Sequence, residues 1–239
     1  MTGRLDAAVT IRHDGFLLDL RLTIADGRTL AVLGRNGAGK STALAALAGL
    51  TPLEAGRIEL DGAVLDDPAE GRFVPPEQRS VGTVLQQPAL FPHLTVLDNV
   101  AFGLRTAGLS RAEARERAFG ALATEGLADL AGRRPSGISG GQAARVALVR
   151  TLVRRPALLL LDEPLAAIDA ELRPALRERI RADLDDFAGS ALLVTHDVRD
   201  AEAFADEVAV VDGGRIVQRG PLAALRANPA DEVVARLLE

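Results

Sequence analysis

The chain has 239 residues, a formal net charge of −5, 48% hydrophobic and 26% charged residues, and no Cys, Trp or Tyr. That balance suits a folded domain with a sizeable core and excludes a disordered chain, while the absence of Cys excludes disulfides, thiolate metal sites and cysteine nucleophiles. The acidic excess argues against a dedicated nucleic-acid binder. No apolar run approaches the ~20 residues of a membrane-spanning helix, and Met1 to Asp14 lacks the basic start and apolar stretch of a signal peptide, so a cytoplasmic location is expected.

Apolar runs bounded by turn residues predict strands at Ala7–Ile11, Phe16–Ile24 and Thr29–Leu33. Lys40 to Leu50 has helical spacing, with Gly49 near its end and Pro52 beyond. Arg57–Leu60 and Ala63–Leu65 flank Asp61-Gly62, a hairpin signal, and Ser80–Leu85 reads as another strand. From about Leu94 to Thr124 the pattern turns helical, with Ser110 and Glu113 spaced as a capping box. Strand character returns at Ala157–Leu161, Ala191–Thr195 and Val208–Val211, and Gly213-Gly214 then turns into Arg215–Gln218. The alternation predicts an α/β fold: a mainly parallel sheet covered on both faces, an antiparallel β portion near the N-terminus and an inserted helical subdomain.

Gly34-Arg35-Asn36-Gly37-Ala38-Gly39-Lys40-Ser41 fits G-x-x-x-x-G-K-[ST] between a predicted strand and a predicted helix, the context that motif requires. Its backbone N–H groups would cradle phosphates at a helix N-terminus. Lys40 would reach the β- and γ-phosphates, Ser41 would hold magnesium, and Thr42 is available for the α-phosphate. The spacing G-x-x-G-x-G departs from the dinucleotide fingerprint. This points to an NTPase without saying which. Ala157–Leu161 then delivers Asp162 and Glu163 at a strand's carboxyl end, where a doubly wound sheet presents catalytic groups. Asp162 is placed to hold magnesium and Glu163 to act as general base. Ser139-Gly140-Gly141-Gln142 combines a hydroxyl, two unobstructed amides and a helix start, so it reads either as a helix cap or as a second phosphate cradle.

In this order the motifs resemble those of ABC transporter ATPases, over essentially the whole chain. Ile138–Gln142 is similar to the LSGGQ signature, which in that family faces the ATP held by a second chain. The resemblance implies a P-loop NTPase (RecA-like) fold in a single ATPase domain, 1–239. Its nucleotide-binding core would take about 1–88 and 156–239, with the antiparallel portion, and its helical signature subdomain about 89–155. It implies ATP and Mg2+ as ligands, with Gln86 sensing magnesium and the γ-phosphate, Asp169 in a loop crossing the dimer interface, and His196 bonding the γ-phosphate. The cofactor contacts it implies are Gly34, Asn36, Gly37, Ala38, Gly39, Lys40, Ser41, Thr42, Gln86, Ser139, Gly140, Gly141, Gln142, Asp169 and His196. Metal contacts would come from Ser41, Gln86 and Asp162; Lys40, Gln86, Glu163 and His196 would be catalytic.

The chain departs from the family's usual pattern at Ile138, at Ala143-Ala144, and at Ala166 and Ile168, none of which is a catalytic group. The aromatic that stacks on adenine is also missing, leaving Phe16, which could equally be a core residue, or the planar groups of Arg12 and His13. Partners implied are a second chain in an ATP-sandwich homodimer, a transmembrane permease docking near Gln86–Leu104, and, indirectly, a substrate-binding protein. No nucleic acid is expected, and the location is the inner face of the cell membrane. Phe91, Leu94 and Phe102 could serve docking or pack the helical lobe.

Val64-Leu65-Asp66-Asp67, Gly71 and Val74–Arg79 resemble the molybdate importer ATPases, so molybdate or a related oxyanion is the expected cargo. Sulfate, iron and sugar importers, and more remotely a soluble ATPase acting on nucleic acid or ribosomes, are the alternatives. Many molybdate ATPases carry a C-terminal oxyanion sensor. Here Val233–Leu238 reads as the last helix before Glu239, so the sensor is expected to be lacking.

Overall fold

A computed structural model describes residues 4–13 and 15–238. Most of the segment read for a signal peptide falls inside that range, but Met1, Thr2, Gly3 and Asp14 lie outside it, as does Glu239. The chain divides into two compact units, Met1–Thr83 with Ala157–Glu163 and Arg177–Glu239, and Val84–Pro156 with Pro164–Leu176. Elements are numbered in chain order across both.

The first unit is built on two sheets. Strands β1 (Leu5–His13) and β2 (Phe16–Ile24) alternate buried and exposed residues, as a strand with one covered face must. They join β4 (Ala55–Leu60), β5 (Ala63–Asp67) and β6 (Arg72–Phe73) in an antiparallel sheet of order β2-β1-β4-β5-β6. The Asp61-Gly62 turn has φ of 52° and 78°, the paired positive values of the tight hairpin that the dipeptide predicts.

The second sheet has the order β11-β10-β3-β9-β8-β7, with β3 (Thr29–Gly34), β7 (Val81–Val84), β8 (Leu158–Asp162), β9 (Ser190–Thr195), β10 (Glu207–Asp212) and β11 (Arg215–Gly220). Its four central strands β10, β3, β9 and β8 are parallel, and β11 returns antiparallel. β3 and β9 are buried at every residue, which is why they read as unbroken apolar runs rather than alternating ones. Helices α1 (Lys40–Ala48), α6 (Val198–Phe204), α7 (Leu222–Ala227) and α8 (Glu232–Leu237) complete the unit, with the residues of α5 (Arg173–Asp185) from Arg177 onward. One core cluster joins the inner residues of both sheets to Ala43, Leu44 and Leu47 of α1.

The second unit is helical. The stretch expected as one helical pattern resolves into α2 (Val96–Thr106) and α3 (Arg111–Thr124), broken where Gly108 takes φ of 96°. Ser110 and Glu113 form the expected reciprocal cap at 3.3 and 3.1 Å. With α4 (Gly140–Leu152), these helices enclose a separate core around Val96, Val100, Ala118, Leu122, Val146 and Val149. Among the described residues, no helix is long and apolar enough to cross a membrane.

Candidate active site

In the first unit, three neighbouring parallel strands deliver the predicted polar residues to one sheet edge. The registers Leu33↔Thr195 and Asp162↔Val194 bring the ends of β3, β9 and β8 level. Gly34–Ser41 leaves β3, Asp162 and Glu163 end β8, and His196 follows β9. This is the carboxyl edge at which open α/β sheets place their ligands.

The loop from β3 to α1 is shaped by steric need. A Cβ on Gly34 would lie 2.3 Å from Val211 O. Gly39 caps α1 with φ of 98°, and a Cβ there would lie 2.4 Å from Leu18 Cδ1. No side chain caps this helix and no acidic residue sits in its first turn, so its orphan N–H groups remain directed at the loop's concavity, as anion binding requires. Lys40 is buried and donates to Gly34 O at 2.7 Å and Arg35 O at 3.0 Å, which holds its ammonium inside the loop. Burial lowers the Lys40 pKa, opposed by Glu163 and Asp162. Asp162 is raised by burial and by Glu163, against the pull of Lys40. Asn36, Gly37 and Ser41 are exposed, whereas Ala38 is buried.

Glu163 has φ of 46°, a left-handed conformation that costs a residue with a β-carbon roughly 1–2 kcal/mol. Its N–H donates to Val194 O at 2.8 Å, tying the strained residue to the adjacent strand. The Glu163 carboxylate lies 3.1 Å from His196 Nδ1; the carboxylate is half-buried and the ring exposed. Sequence reasoning missed the polar frame behind the histidine. Thr195 Oγ1 accepts the Asp197 N–H at 3.0 Å, Asp197 caps α6 through the Arg199 N–H, and Arg177 grips Asp200 at 2.8 Å. Burial raises Asp200, and its hydrogen bond from Arg177 opposes that rise. Asp197 and Asp200 sit where any helix-start acid would, and Arg177 is distant in sequence, so no local signal marks them.

Phe16 packs on the core cluster, its ring edge 3.2 Å from where a Cβ on Gly39 would stand. That is the core alternative for this residue, and it also walls the loop from β3 to α1. Arg12 is exposed with Nε 3.9 Å from Glu54.

The second unit carries the other predicted residues. Ser139 Oγ accepts the Gln142 N–H at 3.2 Å and Gln142 Oε1 accepts the Ser139 N–H at 2.9 Å, a complete capping box at the start of α4. The cap reading of this motif is therefore realised. Yet a Cβ on Gly140 or Gly141 would meet nothing within 4 Å, so nothing inside the chain demands glycine there. Gln86 is exposed just after β7. Asp169 is exposed, and its carbonyl accepts the Leu172 and Arg173 N–H groups at 2.9 and 3.2 Å. Arg173, which sequence reasoning passed over, pins that loop through Ile168 O at 2.9 Å. Phe91 and Phe102 meet at a tilt of 49° with centroids 4.7 Å apart, and Phe102 remains exposed.

The passage Val64–Asp67 and Val74–Arg79 has a structural role in the first unit. The Arg79 side chain is fully buried, donating to Ala46 O, Leu47 O and Val74 O at 2.7–2.9 Å, with Asp66 at 3.9 Å. Ala46 and Leu47 lie at the end of α1. The Asp66 and Arg79 pattern is thus a clamp on α1, the helix that follows the Gly34–Ser41 loop.

Among the described residues, no group of three or more His, Cys, Asp or Glu could hold a metal alone. A divalent cation on this edge would need phosphate oxygens beside Ser41 and Asp162, which fits a hard, oxygen-liking ion such as Mg2+.

The family model described as ABC transporter matches residues 17–166. The chain is 44% identical over 233 residues to "Fe(3+) ions import ATP-binding protein FbpC" of Streptomyces avermitilis, covering 97% of this chain and 66% of that protein. It is also 44% identical over 220 residues to "Spermidine/putrescine import ATP-binding protein PotA" of Methylococcus capsulatus, covering 92% and 56%. The chain thus spans less than two thirds of the length of these relatives. A solved dimeric ATP-binding cassette, in a post-hydrolysis state bound to ADP and Pi, superposes with a TM-score of 0.74 at 26% identity, over 91% of this chain and 98% of that one.

Proposed function

The chain belongs to the ABC transporter family, and from that premise we propose that it binds and hydrolyses ATP to energise an importer. The observation that carries the reading is the meeting of Lys40, Asp162, Glu163 and His196 at adjacent parallel strand ends, beside an uncapped helix N-terminus. Lys40 and the loop amides from Asn36 to Thr42 would hold the phosphates, Ser41 and Asp162 would hold Mg2+, and Gln86 is the residue assigned to sensing bound nucleotide. When bound, that ion neutralises charge on the β- and γ-phosphates. Glu163 would take the proton of the attacking water, and His196, oriented by its contact with Glu163, would lie beside the γ-phosphate. Phosphoryl transfer asks the protein chiefly for position and charge, which suits a site assembled from backbone amides and a few rigid side chains.

The open space at Gly140 and Gly141 supports a role for Ser139–Gln142 toward a second chain, with Asp169 in the interface between the two. ATP closes two chains on two nucleotides, and hydrolysis releases them. A membrane permease docks on the Gln86–Leu104 segment, where Phe102 is exposed, and the protein works on the cytoplasmic face of the membrane. For cargo, the relatives' names favour ferric iron, with polyamines second. They do not support the molybdate expectation, whose motif is accounted for by the Arg79 clamp.

Glu163→Gln tests the reading. Gln is nearly isosteric and keeps a hydrogen bond to His196, so ATP binding persists and a closed dimer accumulates, visible by light scattering. Turnover falls by about 10²–10⁴, the range of a lost general base. Turnover at the parent rate would remove Glu163 from this role.

A further inference from the structure

The second unit contains a polar junction that the motifs leave without a role. Arg150 sits in the last turn of α4, about 16 Å along the helix from its Ser139 cap at ~1.5 Å per residue. Its Nη1 donates to Ala89 O at 2.9 Å and its Nη2 to Pro88 O at 3.2 Å. The same guanidinium lies 5.7 Å from the Phe91 ring centroid. Burial pushes the Arg150 pKa down, with no carboxylate opposing it. With no ion pair to it among the described residues, that cation carries a desolvation cost, so its compensation falls on those two carbonyls and the aromatic face.

The segment it holds needs holding. Ala89 has φ of 45°, which favours glycine. From the other side, fully buried Asn99 of α2 accepts the Phe91 N–H at 2.7 Å and donates to Phe91 O at 3.1 Å. Asn99 ties the segment to α2, and Arg150 ties it by hydrogen bonds to α4. The apolar contact between α2 and α4, through Val100 and Val149, is non-directional. A planar guanidinium bonded to two successive carbonyls resists both sliding and rotation.

We propose that Arg150 is a positioning residue that joins the Gln86–Phe91 segment and the Ser139-capped helix α4 into one lever. The inference rests on the proposed function above, in which Gln86 senses bound nucleotide and Ser139–Gln142 face the ATP held by a second chain. A displacement at either nucleotide contact then moves the other, and a permease bearing on the segment moves both. Sequence motifs do not show this, because residues 88 and 150 meet only in the fold.

Hydrogen exchange on the full chain, in a Glu163→Gln background with and without Mg-ATP, tests it. With Arg150 intact, Mg-ATP slows exchange at both 86–95 and 139–142. In Arg150→Met the protection at 139–142 persists while that at 86–95 drops about tenfold, the effect of losing a charge-assisted hydrogen bond. Arg150→Lys, whose ammonium reaches one carbonyl, retains part of it. Unchanged protection at 86–95 in Arg150→Met overturns the inference. So does an equal loss at both segments, which would make Arg150 only a fold element. If Arg150→Met does not fold, Arg150→Lys decides alone: partial loss confined to 86–95 supports the lever and no loss refutes it. Absence of any ATP effect at 139–142 with Arg150 intact would instead refute the composite site, and the lever with it.

Discussion

Replacing Arg79 by Met keeps most of the side chain's volume and removes only its polar end, so the cost can be followed bond by bond. Ala46 O keeps the Gly49 N–H at 3.0 Å and Leu65 O keeps the Val74 N–H at 2.8 Å. Leu47 O and Val74 O each lose the guanidinium that reaches them at 2.9 and 2.7 Å. Asp66, 2% exposed, loses its cation and keeps the Leu53 N–H at 3.2 Å. Breaking a buried pair from one side costs about 3–5 kcal/mol, and orphaned carbonyls keep the figure at the upper end.

The loss carries a pH signature. Burial raises the Asp66 pKa, and Arg79 opposes that rise, so its removal lifts the folded value further above the unfolded one of about 3.9. A raised carboxyl contributes stability below its unfolded pKa and loses it as pH climbs through the folded one. Arg79→Met is therefore more damaging at pH 8 than at pH 5. Urea unfolding at both values measures it. A loss below about 1 kcal/mol, or an equal loss at both pH values, would refute the clamp.

Lys40→Ala removes the ammonium from the phosphate loop but only two carbonyl contacts from the fold. Calorimetric titration should show ATP affinity falling at least tenfold, with the unfolding midpoint little changed. Ser139→Gly separates the two roles of its motif. Glycine is a tolerable N-cap, costing only a few tenths of a kcal/mol, so the fold should survive while ATP-driven dimerisation of a Glu163→Gln chain is lost. Persistence of that dimer would reduce Ser139 to a cap.

The readings that succeeded rest on local chemistry. The strand, glycine-rich turn and helix around Gly34–Ser41, the hairpin at Asp61-Gly62 and the cap at Ser110 follow from φ preference and side-chain reach over a few residues. The features that escaped are long-range pairings. Arg79 meets the end of α1 across 32 residues and Arg150 meets Pro88 across 62. An arginine's composition signal is that of a solvated surface, so neither stands out in one sequence. The Glu163 strain escaped for another reason. Its φ of 46° runs against the residue's own preference and goes with a hydrogen bond to the Val194 carbonyl on the next strand. A strained acid held by a neighbouring strand has fewer ways to relax away from its partner histidine, so the bond to Val194 offsets the backbone strain and keeps the carboxylate where water and phosphate would meet it.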